Sequence, residues 1–253
     1  MWNKLFAKKN WIFAVLFTAF PVVAFAVPDI PKFSMELAAG QAEPGEISVL
    51  LEILFLMTVL TMAPAIMLTM TSFTRIIVVF HFLRQAMGTQ QMPPNQILAS
   101  LAIFMTVVIM QPIGTQIYNE AVNPYMEERI SFETALERAE QPIRGFLFKH
   151  TREKDLSIFY SIAKMERPKN KKEVPLTMLV AAFTISELKT GFTIGFLIYI
   201  PFLILDMVVA SVLLSMGMMM LPPVMVSMPF KILLFVMVDG WNLLIGSIVN
   251  TFQ

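Results

Sequence analysis

From Ile47 onward the chain is built of long apolar runs with short polar interruptions. Residues 47–70 are nearly all hydrophobic, broken only by Glu52, threonines and Pro64. After a polar patch, IIVVFHFL (76–83) resumes the run. Together these roughly 37 residues would make a helix about 55 Å long at 1.5 Å per residue. A bilayer core is about 30 Å thick, so this segment must kink, fold back or project beyond it. Residues 97–117 form a second candidate span. Residues 174–221 form a third apolar block, interrupted by the polar SELKTG, and residues 229–252 a fourth, carrying one aspartate.

Between the second and third blocks the pattern changes. Residues 118–173 interleave acids and bases, while Ile130, Ala135 and Leu136, then Leu156, Phe159, Tyr160 and Ala163, recur at helical spacing. This predicts two or three amphipathic helices outside the membrane, split at Pro142 and ended by a turn over 168–172. At the other end, Lys4, Lys8 and Lys9 precede a short apolar core (11–20) and the small-x-small pattern Ala24-Phe25-Ala26. That is the layout of a secretory leader over 1–26, cleaved between Ala26 and Val27. Residues 27–46, bearing Pro and Gly, read as a linker on the outer side.

Composition sets the solvent. The chain of 253 residues is 57% hydrophobic and 15% charged, with a mean hydropathy of +0.69. The bilayer is therefore its expected medium. A net charge of +1 leaves no basic excess for nucleic acid. With no cysteine, disulfides, thiolate metal sites and cysteine nucleophiles are excluded. His81 and His150 are far apart and form no metal-ligand pair, and neither a metal nor a cofactor is expected. Residues 72–96 hold Arg75, His81 and Arg84 without an acid, which places them as a loop on the cytoplasmic side. The amphipathic region 118–173 then lies outside.

Chemistry-bearing residues inside apolar runs are few. Asp206 lies in LILDMVV and Asp239 in VMVDGW. A carboxylate in such surroundings normally faces a partner or water. Two intramembrane aspartates could serve an aspartyl protease, or Asp206 a proton relay in a stand-alone ion or solute transporter. The plainer reading makes Asp206, Asp239, Glu187, Lys189 and Lys231 polar contacts within an assembly. GFTIG (191–195) has the spacing that lets two helices approach closely. MGMMMLPP (216–223) ends an apolar run in methionines, where leucine would satisfy lipid equally well.

Three stretches carry a family resemblance: LTMTSFTRIIVVFHFLRQAMGTQQMPPNQIL (68–98), AAFTISELKTGFTIGF (181–196) and PFKILLFVMVDGW (229–241). In this order they closely resemble blocks of the flagellar biosynthesis FliP family, whose injectisome relatives share the same export-gate role. The resemblance implies an all-α integral membrane protein with about four hydrophobic helical segments, near 48–70, 96–117, 193–214 and 230–250, kinked or folded into hairpins. A helical periplasmic region would separate segments two and three. It implies a non-enzymatic pore subunit passing unfolded flagellar proteins across the bacterial inner membrane. That subunit would act as a homo-oligomer, expected to be a pentamer, with FliQ and FliR, beside FlhB and FlhA. The assembly would sit in the flagellar basal body and project towards the periplasm. Met218, Met219 and Met220 match the position of the family's methionine gasket, for which a flexible thioether is suited because it can repack around different surfaces.

Overall fold

A computed structural model describes residues 44–253 apart from Gln90, Glu166, Arg167, Lys169, Met219 and Gln253. The leader, its cleavage site at Ala26 and Val27, and all but the end of the linker lie outside the described residues. The chain divides into two compact units, 1–53 and 54–253, and the described part of the first is the opening of helix α1. Among the described residues the regular structure is entirely helical.

The Leu60–Met70 part of helix α1 (Pro44–Met70) meets α2 (Phe73–Ala86) at a 65° bend, so of the ways open to the over-long first segment the chain takes the kink. Threonine makes both the helix and the bend tolerable in an apolar medium. Within α1, Thr58 donates to Leu54 O (2.7 Å) and Thr69 to Ala65 O (2.8 Å), so the hydroxyls are satisfied inside the helix. At the bend Thr71 donates to Met67 O and Thr74 to Leu68 O, occupying carbonyls that the broken helix would leave bare.

The stretch assigned to a loop, 72–96, therefore holds a central helix. On α2, Ile76, Val79, Phe80 and Leu83 are buried at helical spacing. Helix α3 (Asn95–Ile117) covers one side of α2 with Leu98 and Ala102. It continues through a π-helical turn (Tyr118–Val122) and a short α4 (Asn123–Met126), making 32 residues apolar enough to cross a membrane. Phe104, Val107 and Val108 are exposed on α3, which is apolar all round, the character of a helix whose surroundings are not water.

Helix α5 (Phe132–His150) opens on Ser131, whose hydroxyl accepts from Thr134 N at 3.3 Å. It is not split at Pro142. Ala135, Pro142 and Phe146 share its buried stripe, so the proline ring contributes packing where its missing N–H costs one helical bond. Helix α6 (Glu153–Ala163) ends on Lys164 in the left-handed conformation, ahead of a 3-10 turn at Lys171–Glu173. Leu156 and Phe159 are half-buried and Tyr160 buried, whereas Leu136 and Ala163 face outward.

The polar SELKTG does not interrupt the third block. Helix α7 (Leu176–Ser215) runs unbroken for 40 residues, about 60 Å at 1.5 Å per residue. Its buried stripe, Leu179, Phe183, Glu187, Gly191 and Gly195, passes straight through the polar stretch. The GFTIG spacing is used within the chain. A Cβ at Gly195 would stand 2.5 Å from the Phe82 ring, and one at Gly191 would stand 3.1 Å from Val78. These two glycines let α2 lie directly on α7. Finally, α8 (Pro223–Met237) and α9 (Gly240–Asn250) meet at 66°, so the segment near 230–250 is broken at Asp239 rather than continuous.

Candidate functional site

Two buried charge networks and one exposed tip account for the polar and methionine-rich positions in the apolar helices. The first network centres on Arg75, which is 3% exposed, and Glu187, which is 0% exposed. Arg75 Nε donates to Glu187 Oε2 at 2.8 Å and its Nη2 to Oε1, the two-pronged pairing that a planar guanidinium favours. Its third nitrogen donates to Thr251 O (3.2 Å) and Oγ1 (2.8 Å), and the guanidinium lies 3.8 Å from the centre of the Phe252 ring. The pair thus ties α2, α7 and the C-terminal turn together. Arg75 is therefore a buried, paired residue of a helix and not an exposed loop charge.

One residue earlier on α7, Ser186 reaches the amphipathic region. Its hydroxyl accepts from Arg152 N (3.1 Å) and donates to Asp155 Oδ2 (2.6 Å), while Arg152 Nη2 also donates to that oxygen (2.6 Å). Burial pushes Asp155 up, but the bonds from Ser186 and Arg152 outweigh it and hold the carboxyl below its ordinary range. Beside this junction, the His150 ring lies tilted against Phe146 and edge-on to Phe252, with ring centres 4.8 and 5.2 Å away. Burial lowers His150 to about 4, helped by the charges of Arg75 and Lys149. Tyr160 is raised by burial.

The second network joins Asp206 on α7 to Lys231 on α8. Lys231 Nζ donates to Asp206 Oδ2 at 2.6 Å, and Ser227 donates to Oδ1 at 2.5 Å. The same ammonium donates to Ala86 O (3.1 Å), one of the carbonyls that the end of α2 leaves without an intrahelical partner. Lys231 is 2% exposed and Asp206 19% exposed. Asp206 thus finds its cation in this chain, on the neighbouring helix. Lys189 is exposed and stands apart from Asp206. Asp239 is also exposed: it adopts the left-handed conformation (φ 51°) ahead of α9 and accepts from Asn242 Nδ2 at 3.2 Å. A Cβ at Gly240 would fall 2.3 Å from the Phe235 ring, so Asp-Gly makes the corner and permits the close approach.

The methionine stretch is the tip of the α7–α8 hairpin. Gly217 (φ 75°) follows the helix cap Met216, with Gly217 N donating to Leu214 O (3.0 Å) and Met218 N to Leu213 O (3.0 Å). These two bonds are the Schellman closure, which needs a left-handed residue and so favours glycine. Pro222 and Pro223 then start α8, where a missing N–H costs nothing. Between these fixed ends Met218 is half-buried, Met220 is 98% exposed, and Met219 lies outside the described residues. Among the described residues no cluster of three His, Asp or Glu could hold a metal ion.

The sequence analysis missed Arg75, Asp155, Ser186, Ser227 and Thr251 as partners. For Arg75 the signal was present: it lies four residues before Val79, on the stripe that also buries Ile76 and Leu83.

Apolar helices that fold sharply back and pair their charges inward define an all-α integral membrane protein. Residues 56–248 match the FliP family. The chain is 55% identical over 213 residues to the flagellar biosynthetic protein FliP of Bacillus subtilis, covering 84% of this chain and 96% of that protein. It is 50% identical over 199 residues to FliP of Pectobacterium carotovorum, covering 79% and 77%. With FliP of Aquifex aeolicus the identity is 46% over 231 residues, covering 90% and 95%. The chain belongs to the FliP family.

Proposed function

We propose that this chain is a pore-forming subunit of the flagellar type III export gate, passing unfolded flagellar proteins across the inner membrane. Its role in flagellar biosynthesis follows from its family. The observation that supports a gate is the hairpin tip. Two rigid ends, a Schellman turn and a Pro-Pro start, hold out Met220, which packs against almost nothing in the chain. Methionine there suits a ring that closes on itself and then moulds around a polypeptide in transit, because its thioether chain has three soft torsions. The buried networks have a different duty: they fix the helices that carry the tip.

On this reading the chain works as a homo-oligomer, a pentamer with FliQ and FliR, next to FlhB and FlhA in the basal body, with residues 118–173 towards the periplasm. It carries no catalysis of its own. Purification from a mild detergent tests this: a gate subunit comes out as a large complex containing FliQ and FliR. A chain that conducts ions or solutes alone, with neither partner bound, would overturn the proposal in favour of a transporter.

A further inference from the structure

The hairpin that carries the methionine tip has a weak point at each foot. In α7, Pro201 has no N–H to give the Leu197 carbonyl, so the helix lacks one rung there and bends more readily than its neighbours. In the other limb, the chain turns through 66° between α8 and α9 at Val238 and Asp239. Both weak points border one open apolar groove of about 420 Å³, whose walls include Leu197, Pro201, Phe202, Val238, Gly240 and Ser247. Close-packed interiors resist bending because side chains have nowhere to go. The open groove beside both feet leaves room for side chains to move on that side.

Between the feet the hairpin is fastened to itself. Asp206 holds Ser227 and Lys231 across the two limbs, so 202–237 moves as one body. The tip begins 15 residues beyond Pro201, a lever of about 22 Å at 1.5 Å per residue, so a rotation of about 10° carries it about 4 Å. Lys231, donating to Ala86 O, tethers the body to the end of α2.

We infer that Pro201 and the Val238–Asp239 corner are paired hinges, and that the α7–α8 hairpin swings on them as a unit, its tip moving while its internal Asp206 ion pair stays made and the Lys231 bond to Ala86 O gives way. The functional meaning of that swing, opening and closing the seal, rests on the reading of the tip given above; the swing itself rests on the geometry alone.

The chain has no cysteine, so paired spin labels at Leu221→Cys near the tip and Phe104→Cys on α3 report the motion cleanly. The full-length labelled chain is diluted with unlabelled chain and purified in its native complex. The expected distance distribution is broad or double-peaked by several ångström. Ser247→Phe, which fills the groove, and Pro201→Ala, which restores the missing rung, should each collapse it to one narrow peak. If Pro201→Ala fails to assemble, Ser247→Leu, with a smaller side chain than Ser247→Phe, fills part of the same space without adding a thiol. A parent distribution already narrow, or one whose width survives groove filling, overturns the hinges. Ion leakage through tip variants is a separate measurement, so a failed hinge and a failed seal are told apart.

Discussion

The surroundings of Glu187 and those of Met220 are opposites within one helix–loop segment. Glu187 is wholly buried and bonded at both oxygens, while Met220 is almost fully exposed and touches nothing that fixes it. A charge in a buried, apolar place is tolerable only if its partner is there too, so the network must exist before the chain is stable. An apolar side chain on an unpacked tip contributes little to the chain that carries it. The contrast separates positions that build the chain's own fold from positions that do nothing for it, which on the proposed function are free to act in the seal.

The largest expected effect breaks the buried side of the contrast. Glu187→Gln leaves Arg75 charged without its counter-ion, which costs about 3–5 kcal/mol for a buried pair. Assembled complex should be lost, as read by yield from membranes. Replacing both partners, Arg75→Met with Glu187→Leu, should restore much of that yield, because no stranded charge remains. A dead double variant would mean that the pair also does something besides neutralising itself. Lys231→Met comes next. It strands a partly exposed Asp206 and frees Ala86 O, at about 1.5–3 kcal/mol for hydrogen bonds to charged groups. Asp206→Asn in the same chain should recover part of the lost melting temperature.

Gly195→Ala sharpens the packing side of the comparison. Its Cβ meets the Phe82 ring at 2.5 Å, and overpacking of this kind costs about 1–3 kcal/mol. Phe82→Ala, which removes the Cγ and Cδ2 atoms but keeps Cβ, should relieve part of it, measured as thermal stability of the purified complex. The smallest effect is that of pH. In the folded chain His150 is held near 4, against 6.5 for the free side chain. Below 6.5 the unfolded chain binds a proton that the folded chain refuses, so stability falls as pH drops from about 6.5 towards 4. His150→Gln should flatten the melting temperature between about pH 7 and pH 5, where the histidine chain titrates.

Length and apolar runs were enough to require that the first segment kink, fold back or project beyond a bilayer, but not which; the first segment bends, whereas the longer α7 stays one helix. GFTIG, too, was legible as a close-approach signal, although not the identity of the helix it meets. Continuity of α7 through SELKTG was not legible, because a polar stretch looks like a break until Arg75, 112 residues away, is seen to satisfy it. Pro142 misled for the reverse reason: the cost of proline in a helix is local, while the packing that outweighs it is tertiary. Asp206 and Asp239 look alike as lone aspartates in apolar runs, yet one is an ion-pair partner and the other a corner residue. Asp206 meets Lys231 across the hairpin, while Asp239 is exposed with a left-handed backbone, and neither difference is visible in composition.

The comparison stands or falls on the tip. Met218, Met219 and Met220 changed together to alanine remove several heavy atoms from each subunit without touching either buried network. If these methionines form the seal of a pore, the triple variant should assemble with FliQ and FliR at parental yield and leak small ions across the membrane. If they were core residues, each shortening would cost about 2–5 kcal/mol and the complex would be lost. Complex yield and ion conductance, measured on the same preparation, decide between them: parental yield with raised conductance is the result expected, and a collapsed yield, or parental conductance at parental yield, would contradict it.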